Sequence, residues 1–208
     1  MILSILAGMM IGLSGALFLS VDKILGAFLF SIGLLTILHF RLELFTGKAG
    51  LLAAGQINPI NLLIIWCGNA IGIAIMALLC LVTGLVSTIS GPAAAILAVR
   101  VSNSWFANIA LGILCGIFMY IAVASYETKP YLTIMCVAAF ILLGANHCIA
   151  DMFYFVVGGG YLVELLTILE TTVGNVIGCN LIPLLLGCHH RERRSIPPKT
   201  QSDQDNAD

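Results

Sequence analysis

The sequence predicts an all-α integral membrane protein with six transmembrane helices, two of them broken. Three observations predict it. Of 208 residues, 60% are hydrophobic and only 9% charged, whereas a soluble domain carries about 25% charged residues. Too few polar side chains exist to cover a water-facing surface. The apolar runs are long enough to supply the roughly 20 residues that a helix needs to cross about 30 Å of hydrocarbon. Finally, two runs carry polar groups inside them, LELFTGKAG (42–50) and GANHCIAD (144–151).

Taken in order, the spans cover about 2–20, 24–45, 59–87, 105–125, 131–157 and 161–187. The first, MILSILAGMMIGLSGALFLS, lacks the basic start and the small-residue cleavage site of a signal peptide and is read as a retained span. The separators are VDK (21–23), GQINP (55–59), SGP (90–92) with RVSN (100–103), YETKP (126–130) and the short GGG (158–160). The segment around SGP and RVSN is taken as an outer loop. An even number of spans leaves both termini on one side. Behind a transmembrane domain of 1–188 comes a polar tail, 189–208, expected to be disordered. Its Arg191, Arg193, Arg194 and Lys199 place it in the cytoplasm by the positive-inside rule. With Arg41, Lys48 and Lys129 the inner side holds seven basic residues, against two, Lys23 and Arg100, outside. The expected location is the plasma (inner) membrane, with the lipid bilayer as one partner.

Glycines recur at helical spacing, among them Gly8 and Gly12, Gly68 and Gly72, Gly112 and Gly116, Gly174 and Gly178. Such small-residue spacing lets helices approach closely in lipid. Most cysteines lie inside apolar runs without CxxC spacing and read as small buried residues. The two polar interruptions need another account. A backbone released from helix at membrane depth must find partners in protein or line a cavity, and paired broken helices in two halves of a chain point to a binding site between the halves. Intramembrane ionisable groups are costly and by default functional. Each has a structural alternative: His147 bonded between helices, Lys48 and Arg41 snorkelling to the interface, and Asp151 pairing with His147 from four residues on. Glu164 and Glu170 read as interfacial.

The stretches ELFTGK (43–48) and GANHCIADMF (144–153) resemble the ELFTGN and GFEHCIANMF signatures of the formate/nitrite transporter family. AGMMIGLSGALF (7–18), WCGNAIGIA (66–74), RVSNSWFANIALGILCG (100–116) and TVGNVIGCNLIP (172–183) fit the same order over about 5–187. The resemblance implies a homopentamer of aquaporin-like six-helix protomers, each with its own pore for a small weak-acid anion, often with a proton. Carried over, His147 is the pore histidine and Thr46 the threonine facing it. Leu44, Phe45 and Met119 match one apolar constriction, and Phe30, Leu34 and Phe140 the other. Arg100 matches a lysine that attracts anions.

Three positions depart from the family pattern. Lys48 stands for the asparagine of ELFTGN, Asn146 for the glutamate before the histidine, and Asp151 for an asparagine. Asp151 is therefore expected to offer His147 a carboxylate in place of the missing glutamate, and Lys48 to add an anion-attracting charge or pair with Glu43. The family's amphipathic helix before the first span has no counterpart ahead of Ile2, so an ungated or differently gated pore is expected.

The function expected is a channel or transporter for formate, nitrite or hydrosulfide, the neutral acid crossing where a bare anion would pay heavily for desolvation. A pore for ammonium, ammonia or urea is the alternative that Asp151 would favour. An intramembrane enzyme built on His147, Asp151 and Glu43 lacks any GxSx or HExxH pattern, and a closed structural subunit is a further reading. No enzyme activity, metal, cofactor or nucleic-acid partner is expected.

Overall fold

The computed structural model describes residues 1–195, with side chains described through Gly187. Among the described residues it is entirely helical: α1 (Ile2–Leu19), α2 (Lys23–His39), α3 (Phe45–Ala49), α4 (Pro59–Val82), α5 (Val86–Ser102), α6 (Trp105–Ser125), α7 (Pro130–Leu143), α8 (Cys148–Val157) and α9 (Leu162–Ser195). The last helix carries the backbone beyond 188, and the rest of the expected tail, 196–208, lies outside the described residues.

Several separators act as helix caps. The Asp22 carboxylate accepts from the Ile24 and Leu25 N–H groups at the start of α2. Asn58 caps α4, with Pro59 in the first turn, and Ser104 caps α6. Each supplies an oxygen to N–H groups that a helix start leaves without partners. Four helices, α1, α4, α6 and α9, are long and apolar enough to cross a membrane. α7 and α8 do so as a pair bent by 56°. The sixth crossing is α2, 17 residues long, followed by a break and α3.

One expectation is corrected. The segment taken as an outer loop is the helix α5, and α4 stops at Val82, short of the expected 87. Gly84, at φ 74°, separates the two helices. Pro92 read as a breaker because it removes a donor and crowds the preceding turn, yet α5 runs through it. Its buried face, Ile89, Ala93, Leu97 and Arg100, has helical spacing and lies mainly against α8. Tertiary packing outweighs the local penalty.

The crossings fall into two halves of three. α1 packs on α4 in one half and α6 on α9 in the other, and α2 and α7 meet between them. Glycine makes the paired approaches close. A Cβ on Gly72 would land on the Ile5 carbonyl, and one on Gly178 on the Ile113 carbonyl. The outside is apolar: Leu63, Leu78, Leu166 and Leu184 are all exposed, which suits lipid or a neighbouring protomer better than water. Five of the six described cysteines are buried thiols, as expected.

Candidate functional site

The two breaks are built alike. After α2, Leu42 N–H bonds the Ile37 carbonyl and Glu43 N–H bonds Leu3 on α1. After α7, Ala145 N–H bonds the Phe140 carbonyl and Asn146 N–H bonds Leu111 on α6. One asparagine then completes each break. The Asn69 amide accepts from Phe45 N–H at 2.8 Å and donates to the carbonyls of Ser4 and Glu43. The Asn175 amide accepts from Cys148 N–H at 2.9 Å and donates to the carbonyls of Gly112 and Asn146. Backbone that a broken helix exposes at depth is thus partnered from within the protein. Both asparagines are fully buried.

Between the breaks the short helices α3 and α8 bring Thr46 to His147, Oγ1 to Nε2 at 2.9 Å. His147 is also the N-cap of α8, its Nδ1 accepting from Ala150 N–H at 3.2 Å. A ring nitrogen that accepts carries no proton, so Nε2 holds it and donates to Thr46. The Thr46 hydroxyl keeps its own proton to offer elsewhere. The Cys179 thiol of α9 lies 3.3 Å from the Thr46 carbonyl and fixes α3 from behind. Phe140 stacks on the imidazole with centroids 5.9 Å apart, and Phe30 meets Phe140 edge-on at 6.5 Å.

Two vestibules open at opposite ends of α2. One, of about 210 Å³, is lined by Lys23, Phe30, Arg100, Phe140, His147 and Asp151 among others. The other, about 330 Å³, is lined by Leu34, Arg41, Leu44, Gly47, Lys48 and Glu127 among others. Thr46, Phe45 and Met119 are buried and form part of neither wall. Leu34, expected with Phe30 and Phe140, faces the Lys48 vestibule beside Leu44. His147 lines the first cavity and Leu44 and Gly47 the second, while the Thr46 hydroxyl that bonds His147 is buried.

The substituted positions do not all fall where the sequence suggested. Asp151 makes no bond to His147, whose two nitrogens are taken by Thr46 and Ala150. It lies instead beside Arg100, Oδ1 to Nε at 3.6 Å, with both residues buried. Arg100 is in the last turn of α5 rather than in a loop, and its Nη1 donates to the Gly144 carbonyl at 3.3 Å. Asn146 turns away from the vestibules, donating towards Asn108 and Thr171. Lys48 forms no ion pair with Glu43; among the described residues Arg100–Asp151 is the one pair. Glu43 accepts from Ser4, so His147, Asp151 and Glu43 do not assemble as a catalytic group.

Among known proteins, the sequence model described as formate/nitrite transporter matches residues 1–188. The chain belongs to the formate/nitrite transporter family. A curated relative, the formate channel FocA of Haemophilus influenzae, is 30% identical over 153 residues, 65% of this chain and 54% of the relative. The match thus spans about half of that protein's length. A solved pentameric formate channel with formate bound superposes with TM-score 0.77 at 22% identity, covering 91% of this chain and 95% of that one. A second solved structure, an ion channel of the same family, gives TM-score 0.74 at 24% identity over 90% and 88%. The fold is theirs.

Sequence reasoning missed Asn69, Asn175, Cys179 and Lys23 as parts of the site. A signal for the asparagines was present: GNAIG (68–72) and GNVIG (174–178) repeat with one residue changed. No comparable pattern marks Cys179 or Lys23.

Proposed function

We propose that the protein is a membrane channel or transporter for small monovalent weak-acid anions of the formate, nitrite or hydrosulfide class. Each protomer of a homopentamer has its own pore, in the plasma (inner) membrane with both termini cytoplasmic. The observation that carries this reading is the Thr46–His147 contact, 2.9 Å, placed between two vestibules by paired helix breaks. Basic side chains line both vestibules, Lys23 at one, where Arg100 lies beside Asp151, and Arg41 and Lys48 at the other. They raise the local anion concentration. At the waist, Phe30, Phe140, Leu34, Leu44, Phe45 and Met119 offer no polar replacement for a hydration shell, and an anion would cross at heavy cost. A proton turns the anion into a neutral acid that crosses as a hydrogen-bonding solute. Thr46 donates to it. A second proton on His147 would face the Ala150 N–H and break the α8 cap, so the imidazole acts as an orienting group and not as the carrier.

The competing pore for ammonium, ammonia or urea took its support from the Asp151 carboxylate. Arg100 at 3.6 Å offsets that charge, and the ground for a cation site is lost. Stopped-flow light scattering of proteoliposomes against a panel of anions and ammonium, at two pH values, tests the reading. Weak-acid anions are expected to pass, and His147→Phe to abolish flux with the pentamer intact by size-exclusion chromatography. Ammonium passage without anion passage would reverse the assignment.

A further inference from the structure

The Arg100–Asp151 pair is poorly made for a structural tie. A separation of 3.6 Å is outside hydrogen-bond range. Among the described residues, neither Asp151 oxygen nor the Arg100 Nε has a hydrogen-bond partner, although both residues are more than nine-tenths buried. Buried ions held for stability have their remaining lone pairs and protons satisfied. Here one donor and two acceptor atoms are left without partners just beneath the surface of the vestibule that Arg100, Asp151 and His147 line.

We propose that Asp151 is the group that passes the proton to and from the anion in this vestibule, with the Arg100 Nε–H holding the anion's other oxygen. This rests on the pore reading above and deepens it. Once a rotation of the two side chains turns these atoms into the cavity, a two-oxygen anion such as formate or nitrite bridges them, one oxygen accepting from Arg100 Nε–H and the second facing the Asp151 carboxyl. The Asp151 O–H bond breaks as the substrate O–H bond forms. Neutral acid leaves towards His147 and Thr46, and Asp151 remains as a carboxylate beside the guanidinium until water in the vestibule returns a proton. Movement in the opposite direction runs the same exchange backwards. The other titratable or charged groups around Asp151 are Arg100 from α5, Lys23 from α2 across the cavity, Cys115 from α6, and His147, Cys148 and Tyr154 at its own end of the chain. Formate and nitrite engage the two groups through separate oxygens, whereas the single sulfur of hydrosulfide makes only longer, weaker hydrogen bonds to each, so the site favours the two-oxygen anions.

The test is flux of formate and of hydrosulfide into proteoliposomes loaded with a pH-sensitive dye, over a range from neutral to acid outside. Positioned acid–base groups contribute roughly 10²–10⁴-fold, and water supplies part of this. Asp151→Asn is therefore expected to lower formate flux and its accompanying proton movement about tenfold or more at neutral pH. The loss should shrink as acid supplies the neutral species directly, hydrosulfide should be affected much less, and Asp151→Glu should restore the pH profile. An unchanged Asp151→Asn profile overturns the proposal while leaving the pore reading standing, and so does an equal loss for both substrates at every pH. No flux from the unaltered protein overturns both. If Asp151→Asn does not assemble, Asp151→Glu decides: a formate pH profile like the parent's supports the proposal, and formate and hydrosulfide flux lowered alike at every pH overturns it.

Discussion

The two broken helices are the same device holding different chemistry. Their backbones follow one hydrogen-bond plan, completed by Asn69 in one half and Asn175 in the other. At the N-cap, however, the first half has Leu44, with no side-chain bond, and the second has His147, which caps α8 and reaches Thr46. One turn on, Lys48 stands in α3 where Asp151 stands in α8, opposite charges at equivalent places. Lys48 faces a vestibule; Asp151 is buried beside Arg100. The duplicated part is therefore scaffold, fixed by backbone that must be partnered at depth. The part that differs carries the chemistry.

That division can be broken by experiment. The largest effect is expected from Asn69→Ala and Asn175→Ala, each leaving one buried N–H and two carbonyls without a partner. Each should lower stability by about 2–4 kcal/mol, read as thermal unfolding in detergent, and by similar amounts. A silent Asn69→Ala beside a damaging Asn175→Ala would end the idea of a shared scaffold. Gly72→Ala and Gly178→Ala should follow at about 1–3 kcal/mol, because in both a methyl group meets a backbone carbonyl of the facing helix.

Thr46→Val tests the chemical part. It keeps shape but leaves the His147 Nε2–H without its acceptor, and about 1–2 kcal/mol should be lost together with most of the flux. Retained flux would show that the hydroxyl is scaffold after all. Lys48→Asn should change least, within about 0.5 kcal/mol in stability. Its effect should be confined to anion entry from its own vestibule and should fade as salt is raised, because a charge that water and ions can reach is screened.

Much of this was legible in the chain. Long apolar runs cannot be hidden in water, and the capping residues Asp22, Asn58 and Ser104 mark where helices start by local geometry alone. Thr46 and His147 stood out because polar groups in lipid are costly and need a reason. α5 did not, because Pro92 contradicts it locally and only the buried Ile89, Ala93 and Leu97 face supports it. The partner of Asp151 was misread for a related cause. Helical spacing points to His147, on its own strand of chain, but Arg100 arrives from a helix that the local signals had hidden.

Composition, run length and the two polar interruptions by themselves determined the class of protein, the number of crossings and which crossings break. These follow from solvation and from the local geometry of the backbone, both written in adjacent residues. Which side chains meet was decided by the tertiary structure alone. Asn175 reaches Cys148, Thr46 reaches His147 and Arg100 reaches Asp151 because helices far apart in sequence are packed at distances that glycine permits. Contact between distant segments depends on the direction in which each helix turns its faces, and no local pattern specifies that.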